Sequence, residues 1–304
     1  GVAAEAGDPW HLGSNTKAMT AALTARLAEQ GRLARDLTVG EALDGAVETI
    51  QPSYRDADFE ALFSHRSGLP ANAGLVTAVR LMGTDAERDR RADRLDYAGV
   101  ILAKEPGQPG EFTYSNAGYV VAGAMLEAQL DTEYEALMAD EVFAPLGLET
   151  AGFGPAGSAD SIDAPRGHKS TWFGFGGLKD VPPSAQADNP PALSPAGRAH
   201  MSLEDYLTFV GDQMACARGE DAVLNTPESC AWLQVTRGDY ALGWGVSEDG
   251  RWSHAGSNTM MFLRVFAWPE SDFAVVAAAN AAGDGVPAAM SDLLSDVAQA
   301  YGQP

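Results

Sequence analysis

Apolar and polar positions follow two regimes along the chain. From Thr16 to Gln30, Ala and Leu recur with polar residues between them, the pattern of a helix laid against a core, and Gly31 is a natural stop. The same reading places helices over 75–104 (charged, with Arg and Asp crowded between Thr84 and Asp96) and over Tyr119–Leu130, which is apolar enough to be buried. Further helices fall over 133–143, ended by Ala144-Pro145-Leu146-Gly147, and over Leu203–Met214, with Ser202 as the N-cap. Leu62–Pro70 reads as a helix end running into a Gly/Pro turn, and Pro106–Gly110 interrupts the charged run. Residues 154–195, rich in Gly, Pro, Ser and Asp, keep no period and read as a long loop region bordering a site.

Beyond residue 240 the character changes. Tyr240–Ser247, Arg251–His254, Met261–Trp268 and Phe273–Asn280 read as strands, with turns at Glu248-Asp249-Gly250 and Pro269–Asp272. An amphipathic helix over Pro287–Tyr301 closes the chain. The expected fold class is α+β, an antiparallel sheet flanked by the N- and C-terminal helices with a mostly helical inserted part. Within one domain of 304 residues, 1–60 and 235–304 form the sheet part and 61–234 the helical part with its loops.

Composition narrows the function classes. A hydrophobic content of 45% is that of a globular protein, and no run of 18 apolar residues marks a transmembrane segment. Gly1–Pro9 lacks the charged-then-apolar pattern of a signal peptide. A formal charge of −22 argues against nucleic acid or anionic lipid as a partner. Cys216 and Cys230 have no metal-ligand spacing, and either a disulfide loop or two buried thiols fits them equally. Neither a metal nor another cofactor is called for. HExxH, GxSxG and the Gly-Lys pair of a phosphate loop are all missing, against a metallohydrolase, an α/β hydrolase and a nucleotide-binding protein.

Three short motifs carry candidate chemistry. Ser14-Asn15-Thr16-Lys17 opens the first helix. Residues i and i+3 share a helix face, so Lys17 can reach the Ser14 hydroxyl. A serine is a poor nucleophile until a base takes its proton, and a desolvated lysine can be that base. Backbone N–H groups at the helix start favour a developing oxyanion. Tyr114-Ser115-Asn116 precedes the buried helix, where Tyr114 can shuttle protons if Lys17 lowers its pKa, and Asn116 can bind a substrate amide or orient Lys17. His254-Ala255-Gly256-Ser257 forms a strand whose glycine lets a substrate backbone lie close, and whose Ser257 N–H can join that of Ser14 as an oxyanion hole. Each motif alone has a plainer reading: a solvated helix start, a buried tyrosine beside a capping asparagine, a satisfied strand histidine.

Together and in this order the three resemble the serine β-lactamase and penicillin-recognising superfamily, in its class C branch with D,D-carboxypeptidases, D-aminopeptidases and esterases. Leu62–Pro70, Pro106–Tyr119, Phe143–Phe153 and Leu242–Gly245 add similar flanking text, so the resemblance runs from Trp10 to Asn280. It implies a β-lactamase/transpeptidase-like fold, with Ser14 as acyl-accepting nucleophile, Lys17 as proton acceptor and Tyr114 as proton relay. Asn116, His254, Gly256 and Ser257 would line the substrate cleft. The implied substrate is a small ester, an amide or a D-peptide, with no cofactor. Relatives act mostly in the periplasm or outside the cell, while some esterases stay inside; a periplasmic or secreted location is the expectation here, with the cytoplasm as the alternative.

Two departures qualify the resemblance. Class C β-lactamases carry lysine where this chain has His254, and a neutral imidazole grips a substrate carboxylate less firmly. That favours the carboxypeptidase, aminopeptidase and esterase branches. Family members also usually place a helix and two strands before the nucleophile, whereas 13 residues precede Ser14 here. A sheet without those strands would expose an edge. The competing expectation is a β-lactamase-fold binding or sensor protein without turnover. Within residues 154–195, Trp172-Phe173-Gly174-Phe175 is expected to give the pocket an apolar wall. His65, His168 and His200 read as structural or surface residues.

Overall fold

A computed structural model describes residues 2–171, 177–283 and 285–303. Nine strands are described: β1 (Trp10–His11), β2 (Gly152–Phe153), β3 (Gly167–Ser170), β4 (Leu178–Val181), β5 (Ala199–Met201), β6 (Gly245–Val246), β7 (Trp252–Ser257), β8 (Phe262–Trp268) and β9 (Phe273–Ala279). They form an antiparallel sheet β6-β7-β8-β9, a small sheet β1-β5-β2 and the hairpin β3-β4. The large sheet ends at β9, which pairs only with β8.

Alternation along β8 sorts its side chains to two sides. Leu263, Val265 and Ala267 enter the main core, while Phe266 and Trp268 pack with Leu294 and Ala298 of the last helix, Val286–Ala300. On the main-core side lie the helix Leu203–Ala217 and the turn Gly13–Asn15 that opens the first helix, Thr16–Glu29. That helix is buried on nearly every side along most of its length, Thr16, Lys17, Thr20 and Thr24 included, so it sits inside the helical layer. Cys216 and Cys230 are bridged, joining the helix Leu203–Ala217 to the helix Pro227–Leu233. Among the described residues no helix is long and apolar enough to cross a membrane.

Several expected elements change shape, each for a local reason. The expected 75–104 helix is two, Leu75–Arg80 and Arg90–Leu102, because the Asp89 side chain accepts the Ala92 N–H and starts a new helix. The expected strand Tyr240–Ser247 shrinks to β6, because Gly243 at φ +99° lies so close to Ala18 that a Cβ would fall 2.5 Å from its Cα. The second expected strand, Arg251–His254, runs on to Ser257, since Gly256 and Ser257 pair with Leu263 and Phe262. Residues 154–195 contain the β3-β4 hairpin. The wall expected from Trp172–Phe175 falls outside the described residues.

Candidate active site

The Ser14–Lys17 motif sits where three segments meet. β1 leads into the Gly13–Asn15 turn, fixed from below by polar side chains. His11 Nδ1 accepts the Gly13 N–H at 3.0 Å, and its Nε2 lies 2.8 Å from Asp188 Oδ1. Asp188 is gripped by Arg198 Nε at 3.1 Å, and Arg198 is paired with Asp85. Burial works to raise the Asp188 pKa, but His11 and Arg198 outweigh it and hold the carboxyl below its ordinary range. Asn15 donates to Leu12 O and accepts from Tyr206, and Thr16 donates to Gly13 O. The turn is therefore tied at every residue around Ser14.

β7 then presses its small residues onto this turn. A Cβ on Gly13 would stand 2.2 Å from Ser257 N, and one on Gly256 would stand 2.7 Å from Ser14 N. Two backbone nitrogens, Ser14 and Ser257, are thus brought to one face of the same contact.

Lys17 points into the centre. It is fully buried, and its Nζ lies 3.0 Å from Ser14 Oγ, 2.7 Å from Asn116 Oδ1 and 2.6 Å from Ala196 O. No carboxylate among the described residues pairs with it, and burial holds its pKa well below 10.5. A neutral amine fits these three neighbours: two N–H bonds go to the amide and carbonyl oxygens, leaving the lone pair for the Ser14 O–H. Asn116 is held in turn by its own amide, which donates to Asn72 at 3.0 Å. The Ser115 side chain caps the helix Asn116–Leu130 through the Gly118 N–H, fixing where that helix begins.

Tyr114 lies beside the pair with Lys17 Nζ 5.0 Å from its ring centre. The expectation that Lys17 lowers the tyrosine pKa is corrected. Burial raises it to about 12, against the pull of a hydrogen bond with Ser14. Tyr114 keeps its proton at neutral pH.

His254 is buried, with Nδ1 3.0 Å from its neighbour's carbonyl and Nε2 3.1 Å from the Tyr240 hydroxyl. Burial, with Lys17 and Arg264 nearby, lowers its pKa to about 3. The structure thus brings Ser14, Lys17, Asn116, Tyr114, Gly256 and Ser257 together, with His254 turned to Tyr240. His65, read from sequence as structural or surface, is also here: it is buried, and its ring stacks against Tyr114, Tyr119 and Tyr240. Its place in Leu62–Pro70 was the only signal available. Nothing in the sequence marked Tyr240, His11 or Asp188.

Two neutral buried histidines make the fold acid-sensitive. His65 and His254 titrate near 3 when folded and near 6.5 when unfolded. Between those values the unfolded chain binds the protons and the folded chain does not, so stability is lost as pH falls. From pH 8 to pH 5 each should cost about 2 kcal/mol. Urea unfolding at both pH values should show His254→Asn losing about 2 kcal/mol less than the wild type; equal losses would refute the assignment.

Against known proteins, residues 1–299 match the model of the Beta-lactamase family. Penicillin-binding protein 4 of Amycolatopsis lactamdurans is 26% identical over 148 residues, 49% of this chain and 37% of that protein. Protein flp of Staphylococcus aureus (strain MW2) is 22% identical over 300 residues, 95% of this chain and 56% of that protein. The chain therefore spans little more than half the length of one curated relative and less of the other. Among solved structures, a D-stereospecific amidohydrolase from Streptomyces sp. superposes with a TM-score of 0.74 at 21% identity, covering 95% of this chain and 86% of its own. The D-amino acid amidase from Ochrobactrum anthropi SV3 gives 0.74 at 18%, covering 98% and 86%. At these identities the likeness is one of fold.

Proposed function

Because this chain belongs to the Beta-lactamase family, we propose that it is a serine hydrolase forming a covalent acyl-enzyme on Ser14. The observation that carries the reading is the buried Lys17 amine 3.0 Å from the Ser14 hydroxyl, its pKa lowered by burial. Lys17 takes the Ser14 proton as Oγ bonds to the substrate carbonyl carbon. The oxyanion forms against the Ser14 and Ser257 N–H groups. On collapse the bond to the leaving group breaks, and that group takes a proton from Tyr114, which the protonated Lys17 restores. Water then attacks the ester carbonyl carbon and gives a proton to the Tyr114–Lys17 pair; the bond from that carbon to Ser14 Oγ breaks, Oγ takes the proton back and the acid leaves. Asn116 holds Lys17 in place, and Gly256 keeps β7 close.

The substrate class we propose is an ester or a D-amino-acid amide or peptide. The named neighbours in the fold include an amidohydrolase, an amidase and the hydrolase EstCE1. A neutral His254 supplies no cation for a substrate carboxylate, which favours these over an efficient β-lactamase. The bridged Cys216–Cys230 pair supports a periplasmic or secreted location.

Intact-mass labelling with a fluorophosphonate tests the reading. The wild type should gain one adduct and Ser14→Ala none; labelling that persists in Ser14→Ala would refute it. Protection by benzylpenicillin would point to D-peptide substrates, and labelling without protection to esters or other amides.

A further inference from the structure

We infer that His65 is a positioning residue for Tyr114, gripping the backbone on both sides of it. The inference rests on the proposed hydrolase reading and deepens it. His65 O accepts the Thr113 N–H at 2.9 Å, and His65 Nδ1 accepts the Ser115 N–H at 3.0 Å. Between those two bonds stands Tyr114, whose ring centre lies 4.3 Å from the imidazole centre. One residue thus fixes the chain before the tyrosine, the chain after it and the face of its ring.

The backbone of His65 is adapted to the task. Its φ of +62° is in the left-handed region, uncommon for a residue with a Cβ, and it aims carbonyl and side chain at the same strand of chain. An acceptor at Nδ1 requires the proton to sit on Nε2 in the neutral ring, because an imidazolium would have N–H groups at both positions. The ring therefore has to stay uncharged for the grip to hold. Burial is the main force for that state, and the titratable groups facing the ring add to it: a proton on Lys17 or His254 would repel one on the ring, and Tyr114, Tyr119 and Tyr240 are phenols whose pKa values burial raises. No carboxylate is among them. Nε2 is buried and has no hydrogen-bond partner among the described residues, so the contacts they give the ring are the Nδ1 bond and the packing of the tyrosines.

Two variants separate the grip from the ring. His65→Asn keeps an acceptor oxygen close to the Nδ1 position and tolerates a left-handed φ, whereas His65→Gly tolerates the backbone but has no acceptor. With an ester substrate, His65→Gly is expected to lower kcat about 30-fold or more with KM within about threefold, and His65→Asn to recover most of the loss. Long-range nitrogen–proton NMR of the wild type should show the neutral Nε2–H form of His65 persisting at pH 5. Equal kcat in wild type and His65→Gly, an equal loss in both variants, or a His65 protonated on Nδ1 at pH 5 would each overturn the inference. Loss of labelling on the wild-type Ser14 would instead overturn the hydrolase reading, leaving the NMR result to decide the His65 geometry.

Discussion

Lys17→Met should slow acylation of Ser14 about 10³-fold or more while leaving a folded protein. Methionine matches the lysine stem in length and apolarity, so the packing inside the first helix is largely kept. What disappears is the only basic nitrogen within reach of Ser14 Oγ among the described residues, at 3.0 Å. A serine hydroxyl without a base is scarcely ionised at neutral pH. The loss also strips Asn116 Oδ1 and Ala196 O of a donor, at a cost of about 1–3 kcal/mol for each buried acceptor left unmet. Lys17→Arg should be no better than Met, because guanidinium stays protonated and cannot accept the proton. In the wild type, the labelling rate should rise with pH and level off well below 10.5, as the depressed Lys17 pKa is passed. Stopped-flow labelling of the three proteins, with circular dichroism to confirm folding, checks the set. A Lys17→Met enzyme that labels within tenfold of the wild type would remove lysine from the mechanism.

Gly256→Ala is expected to cost about 3 kcal/mol and to abolish labelling, an outcome set by backbone rather than by any reactive group. A Cβ there would fall 1.9 Å from Leu12 O and 2.7 Å from both Asn15 Nδ2 and Ser14 N. The first and last of these are main-chain atoms, and the turn that holds them is tied by His11, Asn15 and Thr16, so it has little freedom to yield. Relief has to come from moving β7 away from the turn, which separates the Ser257 N–H from Ser14. Gly7→Ala, where nothing lies within 4 Å of the added carbon, serves as the control and should be neutral in both readouts. Chemical denaturation and probe labelling measured together test the pair. A Gly256→Ala protein as stable and reactive as the wild type would show that the contact between β7 and the turn is not needed.

The strands around Leu263 and Val275 and the long apolar helix were legible because their periodicity is local: alternation or helical spacing reports which face is buried without knowledge of the partner. Boundaries failed where a tertiary contact overrode the local pattern, as at Gly243, which turns because Ala18 lies against it, and at Asp89, which caps a helix inside a charged run. The disulfide was open for the same reason, since two cysteines 14 residues apart carry no information on the distance between their helices.

At the site the division is sharper. Sequence by itself determined that Lys17 stands one turn from Ser14, because three residues along a helix fix that relation whatever surrounds it. It also set the small residues at 13 and 256 and the order of the three motifs. Only the tertiary structure decided the chemical state of those groups. Ala196 arrives at Lys17 from 179 residues away and Asn116 from 99, and no carboxylate arrives with them. Burial without a counter-charge among the described residues lowers the pKa of the amine, and the same burial keeps Tyr114 a phenol and His65 and His254 uncharged. A pKa is a property of the whole enclosure, and the enclosure exists only once the distant segments have closed around the turn.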